Sequence, residues 1–175
     1  MPGAVTKIAT ATPSSTQSSG FTSIPGTYDD LMIIGSAKNA WTSGSGSLTN
    51  QIYIRINSDS TNDYGWARWG AESASTLGES QSTWDSIYLY ANSSSASSNA
   101  GWGHFYMYFT GYTASAYKAI QMVGGYTQSS SQTQTGWTGQ AMWLKTGAIT
   151  DIAMNSTYGN YIAGTTFTLY GISYS

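Results

Sequence analysis

The chain has no cysteine, one histidine and three prolines in 175 residues. Without cysteine there can be no disulfide framework, no thiolate metal site and no cysteine nucleophile. The lone His104 excludes a multi-histidine metal centre. Charge is scarce too. Asp, Glu, Lys and Arg make up 8% of the chain, against about 25% in an ordinary soluble domain. The six basic residues are scattered and the net charge is −2, so the clustered Lys and Arg that bind a phosphate backbone are missing and no nucleic-acid partner is expected. No apolar run nears the ~18–20 residues of a membrane helix. The N-terminus has no basic patch leading into an apolar stretch, so neither a membrane partner nor a signal peptide is expected.

What fills the chain instead is Ser and Thr, 51 positions together, with twenty Gly, fourteen Tyr and seven Trp. Disordered chains have few aromatics and many charges, the reverse of this composition. The length fits one domain with a sizeable core. That domain is expected over residues 21–175, after a polar, turn-rich segment (residues 1–20) that reads as an N-terminal arm or an edge strand.

Apolar residues alternate with period two. Ile52, Ile54 and Ile56 share a face, as do Phe105, Met107 and Phe109, with Tyr106 and Tyr108 opposite. Ile87 and Leu89 alternate with Tyr88 and Tyr90, and Phe167, Leu169 and Gly171 with Thr168 and Tyr170. No window shows the three- and four-residue spacing of a helix. The pattern predicts strands at Thr6–Ala11, Asp30–Ala40, Asn50–Ile56, Tyr64–Trp69, Ser86–Ala91, Gly103–Tyr112, Tyr117–Tyr126, Gly139–Leu144, Ile149–Met154 and Thr166–Tyr174, separated by Ser, Gly and Asn clusters. Ten short strands without crossover helices imply an all-β antiparallel sandwich or barrel. Tyrosine on the second face of several strands, where charge normally stands, suggests that this surface packs against copies or other proteins, or binds sugar.

Catalytic patterns are sparse. His104 opens a strand, and no Gly-x-Ser-x-Gly elbow accompanies it. The carboxylates Asp29, Asp30, Asp59, Asp63, Glu72, Glu79, Asp85 and Asp151 show no pairing for glycoside hydrolysis. The oxygen-rich loop from Asn57 to Asp63 departs from a calcium loop, since Tyr64 and Gly70 stand where Gly and Glu are needed, and it reads as a solvated turn. Neither an enzyme nor a cofactor is expected.

Two stretches carry a resemblance. One is Phe21-x-x-Ile24-Pro25-x-x-Tyr28-x-Asp30-Leu31; the other is Gly164-x-x-Phe167-x-Leu169-Tyr170-Gly171-Ile172. With the opening Thr6-Lys7-Ile8-Ala9, they resemble small virion proteins of tailed phages, found in phages of cyanobacteria and other aquatic bacteria. The resemblance runs end to end but matches only in style in the middle. It implies a jelly-roll β-sandwich of about 8–10 strands, often a homotrimer, serving as a capsid decoration (cement) protein or as a tail-fibre tip. Because the sandwich begins within about twenty residues of Met1, a stand-alone module on the outer surface of the virion head is the first expectation, with the major capsid protein as partner. Val5, Thr6, Lys7 and Ile8 would then be the capsid-contact arm, by strand addition. A receptor-binding tip gripping a host glycan is the alternative, with Trp41, Trp66, Trp69, Trp84, Trp102 and Trp137 as interface or glycan contacts.

Overall fold

Alternation of apolar and polar residues along the chain builds twelve strands and no helix among the residues that the structure, a computed structural model, describes (3–40, 50–72, 75–94, 101–127 and 134–174). In chain order they are β1 (Ala4–Ala11), β2 (Ser18–Phe21), β3 (Asp30–Asn39), β4 (Asn50–Ile56), β5 (Tyr64–Glu72), β6 (Ser75–Trp84), β7 (Ile87–Ser94), β8 (Gly103–Phe109), β9 (Lys118–Thr127), β10 (Gln134–Trp143), β11 (Ile152–Ser156) and β12 (Thr166–Ser173). Each of the ten predicted strands overlaps one of these. The two not foreseen, β2 and β6, are rich in Ser, Thr and Gly and lack apolar alternation.

The strands form two antiparallel sheets, one of eight in the order β1-β12-β3-β8-β9-β10-β5-β6 and one of four in the order β2-β11-β4-β7. Among the described residues, two parallel pairs, Lys38 with Ser93 and Asn39 with Ser94, stitch one sheet to the other. The pairing is nested: β1 pairs with β12, β2 with β11, β3 with β8 and β4 with β7. Two hairpin-like insertions break the nesting. β5–β6 lies between β4 and β7, β9–β10 lies between β8 and β11, and both join the eight-stranded sheet beyond β8.

The core is the sum of the inward faces. Ile52, Ile54, Ile56, Ile87 and Leu89 from the smaller sheet meet Leu31, Ile33, Met107, Phe109, Phe167 and Leu169 from the larger, all at 0% exposure. Full burial of each such side chain is worth about 1.5–3 kcal/mol.

One row crosses all eight strands of the larger sheet at the same register: Ala11, Phe167, Gly35, Phe105, Gly124, Trp137, Gly70, Leu77. Small and large residues alternate along it. A Cβ on Gly35 would sit 2.3 Å from the Phe105 ring, and one on Gly124 2.6 Å from the Trp137 ring. The glycines therefore supply the space that the neighbouring aromatic rings occupy. The same device recurs at Gly171, where a Cβ would lie 2.3 Å from the Tyr28 ring.

Candidate interaction surface

The expected contact arm is part of a sheet. Val5 is paired with Ile172, Thr6 with Gly171 and Lys7 with Tyr170, while Ile8 stands at a register shift and packs partly on the core. β1 is the outermost strand of the eight-stranded sheet, so its other edge faces outward, with Val5 60% exposed.

The tryptophans divide by strand parity. Trp66 and Trp137 are buried, which corrects their assignment as contact residues. Both point inward, from β5 and β10, and the Trp137 indole donates to the Tyr90 carbonyl (2.7 Å). Trp69, Trp84 and Trp102 are exposed. Trp41 lies outside the described residues. Parity carried the missing signal. Residues three apart in a strand, such as Trp66 and Trp69, must face opposite sides. Trp143, not singled out beforehand, shares the inward side of Trp137 six residues away and donates to Asp59 (2.8 Å).

The tyrosines on the second face of β7 are partly covered by the chain itself. The Trp84 ring meets Tyr88 edge-on at 5.0 Å, and the Arg68 guanidinium lies 3.4 Å from the Tyr90 ring centre. Arg68 also stands 4.8 Å from the Trp66 ring, donates to the Tyr88 carbonyl (3.2 Å) and pairs with Glu79. A charge taken out of water persists only with such partners.

The acidic side chains Asp29, Asp30, Asp59, Asp63, Glu79 and Asp85 are committed to internal contacts. Asp30 is buried and accepts hydrogen bonds from the Tyr108 and Tyr174 hydroxyls and from the Gly111 N–H. Burial disfavours its charge, but these bonds prevail and hold its carboxyl below the ordinary value. The Asn57–Asp63 loop is closed the same way. Asp59 accepts from the Thr61 N–H (2.9 Å) and from Trp143, and Lys145 pairs with Asp63 (2.7 Å). For Asp59 too, burial is outweighed by bonds from Thr61 and Trp143 and by the Lys145 charge, so the carboxyl titrates below its usual range. The Lys145 and Thr61 bonds lower Asp63 likewise. Asp85 pairs with Arg55, and Asp29 accepts from the Tyr174 N–H (2.7 Å). Among the described residues, no three His, Asp or Glu side chains converge as a metal-binding group. His104 is exposed on the outer side of β8, opposite Ser36 and Gly125.

What remains open is the outer face of the larger sheet. From β8 to β6, the outward positions among the described residues carry no Asp, Glu, Lys or Arg. One outward row reads Ile34, Tyr106, Val123, Thr138, Trp69 across successive strands. Ile34, Val123 and Trp69 are 46%, 44% and 53% exposed. Two shallow depressions lie beside this row, of about 420 and 340 Å³. Gly65, Ala67, Ser80 and Ser82 line the first and Thr110, Ala119 and Gln121 the second; Gln140 and Met142 form the ridge between them. No family model, curated protein or solved structure matches this chain.

Proposed function

We propose that the chain is a structural protein of a phage virion that decorates the outer surface of the head, as a homotrimer seated on the major capsid protein. The observation that carries the reading is the open outer edge of β1. It is a ladder of backbone groups with a single charge, Lys7, and an exposed Val5, in the segment that resembles the opening of the virion proteins. An edge so little protected suits pairing with a strand of another chain. The nested pairing of first with last and second with next-to-last strand supports a jelly-roll reading of the sandwich, with β5–β6 and β9–β10 as additions to one sheet. Few ionisable groups, most of them paired internally, suit a protein whose work is contact rather than chemistry.

The test mixes the purified chain with phage heads stripped of surface proteins and images them by cryo-electron microscopy. Density at local three-fold positions is expected, and Val5→Lys, which puts a charge at the edge without touching the core, should weaken it. Bare heads, or full decoration by the variant, would sink the reading.

A further inference from the structure

We infer that the outer face of β9, β10, β5 and β6 is a binding groove for a neutral oligosaccharide. The groove lies at the far end of the eight-stranded sheet from β1, so the inference does not rest on head binding. A protein attached through β1 would leave this end free.

The argument begins with the kind of polar group present. A sugar hydroxyl both donates and accepts hydrogen bonds. The side chains that answer it in both roles are carboxamides and hydroxyls. Gln121, Gln140, Ser80 and Ser82 are of this kind and border the two depressions. Gln121 and Gln140 are direct cross-strand partners, so their amides stand side by side. Gln140 is also opposite Ala67, and Ala67 opposite Ser80, so one line of neutral polar groups runs from β9 to β6 over an alanine.

The second element is shape. Gly65, Ala67 and Ala119 keep the floor low, and the Met142 side chain rises from it, 51% exposed. One depression centres on β5 and β6 and the other on β9 and β10, about 10 Å apart at the usual strand spacing. Two hollows either side of a ridge suit a chain of sugars better than a single ring.

The third element is Trp69. It is paired with Thr138 on one side and Gly78 on the other, the latter with no side chain to cover it, and is the most exposed of the described tryptophans. An exposed indole offers an apolar plate to the C–H face of a pyranose. The absence of Lys and Arg from this face argues against an acidic polymer, which would seek countercharge.

Affinity electrophoresis tests this directly. The native chain is run through gels containing dextran, galactomannan, laminarin or alginate. Retardation by at least one of the three neutral polymers is expected, with none by acidic alginate. Trp69→Ala should abolish it, and Gln140→Ala should weaken binding about fivefold, the effect of one hydrogen bond. Tyr158→Ala, at an exposed ring outside both depressions, should leave it unchanged. Thermal unfolding of each variant checks that the fold survives; if Trp69→Ala does not fold, Gln140→Ala and Gln121→Ala decide. The inference is overturned by the absence of retardation in every neutral gel, by equal retardation in alginate, or by undiminished binding in the groove variants. It is also overturned if sedimentation shows native oligomers that Trp69→Ala converts to monomers, since the face would then lie between copies. None of these results bears on whether the chain decorates heads.

Discussion

The nested four-pair sandwich and the two inserted hairpins are built from different interiors. In the sandwich, most inward side chains are apolar, and Ile33, Ile54, Leu89, Met107 and Phe167 need nothing but contact; the buried Asn39 amide, which donates to the Ser156 hydroxyl (3.0 Å), is an exception. In the insertions, inward positions include Trp66, Trp137, Trp143 and two buried cations, Arg68 and Lys118. The Lys118 ammonium donates to the carbonyls of Ala114 (2.5 Å) and Ala116 (2.6 Å), and burial lowers its proton affinity. The first interior is held mainly by area removed from water; the second adds rings and cations that must each find a partner. The smaller sheet has four strands and the larger eight, so the insertions extend beyond the four-strand layer. Long amphipathic side chains that carry their own hydrogen bonds can fill a region that a second sheet does not fully cover.

The sharpest break falls in the sandwich. Ile54→Ala should cost about 4 kcal/mol, because the site is fully enclosed and cannot collapse on the loss; urea unfolding measures it. In the insertions the cation is open to replacement. Arg68→Ala should cost about 3 kcal/mol, leaving a cavity and unpartnered groups, whereas Arg68→Met should fall within about 1 kcal/mol of the native chain. If Met costs as much as Ala, the guanidinium itself is indispensable, and its bonds to the Tyr88 carbonyl and Glu79, rather than its length, hold the insertions.

Gly35→Ala tests the alternating row that joins the two regions. The added methyl meets the Phe105 ring, and a loss of about 2 kcal/mol is expected from overpacking. A neutral outcome would mean that the ring has room to move. The smallest effect concerns acid. The carboxyls of Asp30 and Asp59 are lowered in the folded state, so their contribution is complete above the unfolded value of about 3.9 and is lost as pH falls through the lower native values. Unfolding midpoints should therefore be flat between about pH 8 and pH 5 and decline below about pH 4. Asp30→Asn should flatten that decline. A steep loss between pH 7 and pH 5 would point to a titrating group other than these.

The strands that carry apolar alternation were legible because period two has one structural meaning in a chain without helical spacing. β2 and β6 were not, because their strand character comes from partners. β11 and β5 each offer an open ladder, and the Ser- and Gly-rich segments Ser18–Phe21 and Ser75–Trp84 complete it. The groove was equally hidden. Gln121, Gln140, Ala67 and Ser80 are scattered over 74 positions, and only the order β9-β10-β5-β6 sets them in one line.

By itself, then, the sequence determined the all-β class, most strands and the identity of the aliphatic core, since each depends on neighbours two residues away. Only the tertiary structure decided which tryptophans face water, that β5 and β6 shelter Tyr88 and Tyr90, and that glycine alternates with aromatic rings across the six strands from β12 to β5. Those facts depend on register between segments far apart in the chain. Register is fixed by the joint packing of every strand in the sheet, which no local pattern encodes.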